Sequence, residues 1–224
     1  MCGRFVGFRS LEELKENFPI DKADCEVTAS YNVAPSQEIL AIINMAGENR
    51  LDKFHWGLVP FWSKDISIGN RMINARSETI AEKPSFRNAF KKRRCLILAD
   101  GFYEWKGEKG HKQPMFITLP DRKPFAFAGL WETWNKKSDS ASIYKSCTII
   151  TTQASETFSE IHHRMPVILK SEFYEPWLDP QNHDLDALKN ILKNEIHTEL
   201  VSCPVSKQVN SASHNNPSCI EPIA

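Results

Sequence analysis

Apolar runs of strand length, each closed by turn residues, recur along this chain and commit it to a strand-rich core. Ile39-Leu40-Ala41-Ile42-Ile43, Arg94-Cys95-Leu96-Ile97-Leu98-Ala99, Met115-Phe116-Ile117-Thr118-Leu119, Phe125-Ala126-Phe127-Ala128-Gly129-Leu130-Trp131 and Ser146-Cys147-Thr148-Ile149-Ile150-Thr151 are such runs. They have the length of buried strands and fall far short of a membrane span. Phe54-His55-Trp56-Gly57-Leu58-Val59-Pro60 reads as strand running into turn. Asp100-Gly101 ends the second run, and glycine tolerates the positive φ of a tight turn. Phe102–Lys106 is therefore expected to return as the hairpin partner of 94–99. Helical signals are fewer. Ser10-Leu11-Glu12-Glu13 is a capping box, predicting a short helix to about Asn17 that stops before Pro19. Leu185, Leu188, Ile191 and Leu192 recur at helical spacing. From about residue 202 the chain turns Ser-, Asn- and Pro-rich and is expected to cross the surface as an extended tail. No repeat or linker-like break interrupts residues 1–224, so the expectation is one α+β domain.

Lys plus Arg and Asp plus Glu number 28 each, so no global field draws the chain to nucleic acid. Local clustering is another matter: Arg71, Arg76, Arg87, Lys91, Lys92, Arg93 and Arg94 lie within one stretch. The plain reading of that stretch is a solvated face. The first twenty residues lack the apolar core of a signal peptide, and the location expected is cytoplasmic, nucleoid-associated in a bacterium. Six cysteines, with no C-x-x-C pair, argue against a zinc ribbon. In a reducing compartment Cys95 and Cys147 would be small apolar fillers of strands.

Cys2 carries unusual chemistry. If Met1 is removed, one residue presents an α-amine and a thiol on adjacent carbons. An aldehyde can form an imine with the amine, and the thiol can then close a thiazolidine ring. A free α-amine is roughly 10–15% neutral at pH 7. Other segments pair polar groups with apolar or turn residues. Asn74-Ala75-Arg76 puts an amide and a guanidinium on one face of an extended strand, or else Asn74 or Ser77 caps a helix. Gly101-Phe102-Tyr103-Glu104-Trp105 sets a carboxylate among apolar and aromatic neighbours, a setting suited to proton transfer if it faces inward. Trp105 offers a stacking face. His162-His163-Arg164 places imidazoles beside a guanidinium, which favours neutral imidazole and anion binding. Adjacent histidines point apart and make a poor metal pair, so neither metal nor cofactor is expected. Trp56–Trp62 is an aromatic loop or a lid over the core.

In order along the chain, Met1–Phe5, Tyr31–Pro35, Trp56–Pro60 with Trp62, Asn74–Thr79, Arg94–Ile97, Gly101–Trp105 and His162–Pro166 resemble the SOS-response-associated peptidase (SRAP) family. The resemblance runs from residue 2 to about 180, with a closing element near Val209-Asn210. It implies a barrel-like mixed sheet flanked by short helices. It also implies a sensor of abasic sites in single-stranded DNA, or at single-strand/double-strand junctions, acting as a monomer in the DNA damage response. Cys2 would be the nucleophile, through amine and thiol together. Asn74 would bind near the new amino terminus, Glu104 would take the amine's proton, and His162 would serve as general acid and base. DNA contacts would come from Arg4, Pro35, Trp56, Arg76, Arg87, Trp105, Thr151 and Arg164. Self-catalysed removal of Met1 and weak lyase activity are further implications; general proteolysis is a weaker one. Two rival readings remain: an N-terminal-nucleophile amidohydrolase or glutamine amidotransferase, and a non-covalent single-strand-binding module.

Overall fold

The computed structural model describes residues 2–108, 110–135 and 143–223. Its strands are β1 (Phe5–Gly7), β2 (Lys22–Ala23), β3 (Ser30–Val33), β4 (Glu38–Met45), β5 (Glu48–Trp56), β6 (Asn74–Arg76) and β7 (Arg94–Ala99). They continue as β8 (Gly101–Lys106), β9 (Gln113–Thr118), β10 (Phe125–Trp134), β11 (Tyr144–Gln153), β12 (Arg164–Pro166), β13 (Ile168–Leu169) and β14 (Val201–Pro204). The helices are α1 (Leu11–Asn17), α2 (Arg87–Lys92), α3 (Glu156–Ser159), α4 (Tyr174–Leu178) and α5 (Leu185–Asn194). The class is α+β, with strands dominating. Both expected helices form, and Ser10 and Glu13 make the reciprocal capping box on α1.

Five strands close a ring. β11 pairs with β10, β10 with β7, β7 with β4 and β4 with β5, all antiparallel. A short parallel contact, Ser146↔His55 and Cys147↔Trp56, returns β5 to β11. β2, β6, β12 and β13 extend this sheet at its margins. The second sheet is antiparallel throughout, in the order β14-β9-β8-β1-β3.

The side chains of β7 show how the layers form. Cys95, Ile97 and Ala99 face a core shared with Phe5, Phe102 and Ile117 of the second sheet. Leu96 and Leu98 face the other way, into a core shared with Phe90 of α2, Trp177 of α4 and Leu188 of α5. β4 divides likewise, with Ile39, Ala41 and Ile43 on one side and Ile42 on the other. A strand buried on both faces needs apolar residues at every position, which explains the uninterrupted runs. Each fully buried Phe or Leu contributes about 1.5–3 kcal/mol.

The expected hairpin between 94–99 and 102–106 does not form. β7 belongs to the ring and β8 to the second sheet, so the chain changes sheets at Asp100. There the Asp100 carboxylate accepts from Phe8 N (2.7 Å) and Arg9 Nε (2.9 Å), and its own N–H donates to Val6 O (2.8 Å). Gly101 does not take a positive φ. It is glycine because a Cβ would lie 2.5 Å from Phe116 Cζ and 2.9 Å from Ile117 O.

The expected tail is also corrected. Val201–Pro204 pairs with β9, and Val205, Val209 and Cys219 are buried against Val6 and Tyr103 on the outer face of the second sheet. Asn32 Nδ2 donates to the carbonyls of Val209 (3.2 Å), Ser211 (2.9 Å) and His214 (2.7 Å). The segment does lie on the surface, with Asn210, Ser211, Asn215 and Asn216 exposed, but it is pinned there by a strand pairing, buried apolar anchors and hydrogen bonds rather than crossing as loose chain. Among the described residues no helix is long and apolar enough to cross a membrane.

Candidate active site

Cys2 leads into β1 and is fully buried. Arg4 O accepts from Tyr103 N (2.9 Å), which carries the β1–β8 pairing toward the amino terminus. Cys2 thereby comes beside Glu104, which lies on β8 and is 4% exposed. Burial, followed by the Glu104 carboxylate, pushes the Cys2 thiol well above its ordinary range. From the other side, Asn74 Nδ2 donates to Cys2 O (2.9 Å). Asn74 is placed by β6, whose parallel pairing with β11 sets Ile149 opposite Asn74 and Thr151 opposite Arg76. Asn74 Oδ1 is buried and accepts no hydrogen bond from the described residues.

His162 follows α3, with its N–H donating to Phe158 O (3.2 Å). Its Nδ1 lies 3.0 Å from both the N–H and the carbonyl oxygen of Arg164. The N–H can donate to a neutral ring, and the carbonyl can accept from a charged one. Either protonation state of Nδ1 thus has a partner. Burial holds the imidazole below its ordinary value, and the Glu104 carboxylate opposes that shift. At pH 7 the ring is therefore mostly neutral, ready to accept a proton. Cys2, Asn74, Glu104 and His162 form one constellation, drawn from β1, β6, β8 and the loop before β12. Met1, whose removal the sequence reading requires, lies outside the described residues.

Residues 1–212 match the family described as SOS response associated peptidase (SRAP). The chain belongs to this family. It is 48% identical over 224 residues to "Abasic site processing protein YoqW" of Bacillus subtilis, covering 99% of each chain. It is 30% identical over 229 residues to "Abasic site processing protein YedK" of Escherichia coli, covering 100% of each. A solved protein from Bacteroides thetaiotaomicron shares the fold, with a TM-score of 0.84 over the full length of both chains at 24% identity.

The remaining candidate residues of this SRAP domain are distributed unevenly. Arg76 is exposed beside the constellation. Thr151 is buried, and its carbonyl and Oγ1 accept from Arg164 Nη2 at 2.7 and 3.2 Å. Arg164 also grips Glu78 through two contacts, Nη1–Oε1 (2.6 Å) and Nη2–Oε2 (3.0 Å). Arg4 is turned toward the C-terminal segment: Nη1 donates to Asn32 Oδ1 and to Val209 O, each at 2.6 Å. Burial lowers its guanidinium below the ordinary value. Trp105 Nε1 donates to Asn210 Oδ1 (2.8 Å), which fixes the ring. Pro35 is half-buried in the turn after β3. Trp56 lies inside the core at 1% exposure, with Nε1 donating to Ile73 O (2.9 Å); Phe61 and Trp62 present the aromatic surface of its loop. Arg87 is exposed on α2, whose buried residues belong to a different core layer from Cys2.

The basic run also divides. Arg94 is 2% exposed and gives its donors to the carbonyls of Trp177, Phe90, Lys91, Asp179 and Asn182, while Arg93 pairs with Glu132 at 2.7 Å. The motifs contain Glu78 and Asn32 without giving either a role, and Asn210 enters only as part of a closing element. Glu78 stands inside the motif Asn74–Thr79, but nothing local points it at Arg164, 86 positions away.

Proposed function

We propose that this chain processes abasic sites in single-stranded DNA by trapping the lesion's aldehyde on Cys2. The supporting observation is the placement of Cys2 at the head of β1. Its carbonyl is held by Asn74, and its thiol lies in the field of Glu104, which also acts on His162. The names of the relatives point the same way. With Met1 attached, the Cys2 nitrogen is an amide and its buried thiol stays protonated. Hydrolysis of the Met1–Cys2 bond, catalysed within the same pocket, frees the amine.

The chemistry then balances without a cofactor. Neutral His162 takes the proton of the C1′ hydroxyl and returns it to the ring oxygen as the O–C1′ bond breaks, and the aldehyde opens. The amine, having passed a proton to Glu104, attacks the carbonyl, and water leaves to give an imine. The thiol S–H adds across C=N: sulfur bonds to carbon and the proton goes to nitrogen. The product is a thiazolidine, with one water lost overall. Ring closure removes the imine from which β-elimination would cut the strand, so lyase activity stays weak. Arg76 and Arg164 would contact backbone phosphates, and these contacts carry no sequence preference.

The test is a denaturing gel of processed protein with abasic and intact oligonucleotides. The proposal expects a heat-stable adduct with abasic DNA alone, absent in Cys2→Ala and labile in Cys2→Ser. Equal retention of both oligonucleotides would favour a plain binding module, and glutamine hydrolysis would favour an amidohydrolase.

A further inference from the structure

The pair formed by Glu78 and Arg164 is more than a surface ion pair. Arg164 is the residue whose main chain holds His162 Nδ1, and its side chain is only 11% exposed. Its Nη2, which also reaches Glu78, makes two further contacts to Thr151, one to the carbonyl and one to Oγ1. It presents its fork to a single acid, Glu78, through two N–H···O contacts, one from each Nη to a separate carboxylate oxygen. That is the geometry in which a guanidinium takes two oxygens of a phosphate. The two partners differ in freedom. Glu78 has a side chain 47% exposed and sits on a 3-10 turn (Ser77–Thr79) at the surface, directly after exposed Arg76. Partial burial would raise the Glu78 carboxyl, but the hydrogen bonds from Arg164 hold it below the usual range.

We infer that Glu78 is an internal stand-in for a DNA phosphate, occupying the Arg164 fork in the free protein and yielding it when the strand binds. This inference rests on the proposed DNA-binding reading and adds a specificity device to it. An incoming phosphate must displace a carboxylate already seated in the fork. Arg164 stays pre-oriented in the free state, and weak or isolated anions are turned away. Because its main chain touches His162, Arg164 must hold its position whether the fork carries carboxylate or phosphate. The pins at Thr151 supply that. The same displacement blunts the salt dependence of binding. Release of Glu78 leaves a new surface anion, which recruits a cation as the DNA gives one up.

The test uses intact single-stranded oligonucleotide, which forms no adduct, in salt titrations by fluorescence anisotropy. Wild type, Glu78→Gln, Arg164→Gln and the double variant are compared, with thermal melting to confirm folding. Glu78→Gln should bind intact strand about two- to fivefold more tightly at low salt, the range an exposed bidentate ion pair can withhold. Its log–log salt slope should steepen by up to about 0.7, one single-strand phosphate. In the Arg164→Gln background, Glu78→Gln should give no gain beyond the small uniform effect of removing one negative charge. If Glu78 merely props Arg164 in place, Glu78→Gln binds more weakly, and the inference fails. It fails equally if affinity is unchanged or if the full gain persists without Arg164. Adduct formation with abasic strand is read separately. Its absence, alongside tighter binding of intact strand by Glu78→Gln, would overturn the covalent reading and leave this one standing.

Discussion

Replacing Gly101 with alanine probes the point where the chain leaves the ring for the second sheet. A Cβ at 101 would stand 2.5 Å from Phe116 Cζ and 2.9 Å from Ile117 O, where ordinary contacts are 3.4 Å or more. The ring can swing, since Phe116 is only partly buried. The carbonyl cannot, because Ile117 is paired with Phe102 in the β8–β9 ladder. Overpacking of this kind costs about 1–3 kcal/mol, and the backbone clash places it in the upper half of that range. For a domain of this size each kcal/mol lowers Tm by about 2–4 °C, so the expected fall is about 4–12 °C. Thermal unfolding followed by near-ultraviolet circular dichroism measures it. A Gly101→Ala, Phe116→Leu cycle then isolates the ring's share, and part of the loss should be recovered in the double variant. An unchanged Tm, or strict additivity in the cycle, would refute the steric reasoning.

Arg94→Met should destabilise by several kcal/mol. It strands the five carbonyls that Arg94 now serves, each unmet carbonyl costing about 1–3 kcal/mol, and chemical denaturation would show the loss as a lower midpoint. Asn74→Ala should slow adduct formation more than it lowers stability, the lost hydrogen bond to Cys2 O being worth about 1 kcal/mol; single-turnover gels beside melting curves separate the two. Since the folded state depresses His162, the unfolded chain takes up that proton first. Its contribution to stability is then full above the ordinary imidazole value and is lost as pH falls, and His162→Gln should flatten that part of the stability–pH curve. In protein that retains Met1, burial keeps Cys2, Cys95 and Cys147 protonated, so an alkylating reagent at pH 8 should label half-buried Cys25 and Cys203 first, as peptide mass mapping would show.

What the sequence disclosed and what it hid divide by range. β7 was legible because burial on both faces writes itself into the unbroken apolar run Cys95–Ala99. The α1 capping box was legible because its partners are three residues apart. The supposed hairpin misled because Asp100-Gly101 looks like a local turn. Its geometry is set by Val6 and Phe116, which belong to strands elsewhere in the chain. The motifs singled out Cys2, Asn74, Glu104 and His162, which the fold brings together, but they could not show how the cations are engaged. Arg4 meets Val209 across 205 positions, and Arg164 meets Glu78 across 86. A guanidinium in a motif reads the same whether it waits for a phosphate or already holds a partner. The C-terminal segment deceived for a related reason, since its exposed asparagines and serines also hold Asn32, Tyr31 and Trp105, partners far away in the sequence.

The central claim is that one residue, freed at its nitrogen, joins the damaged sugar through two bonds. Intact mass of the purified protein, before and after incubation with an abasic oligonucleotide, tests it most directly. The account predicts loss of one methionine, then gain of one DNA strand less one water, with no gain when the terminal amine is acetylated. A full-yield, heat-stable adduct on the acetylated protein, or on protein that keeps Met1, would contradict it.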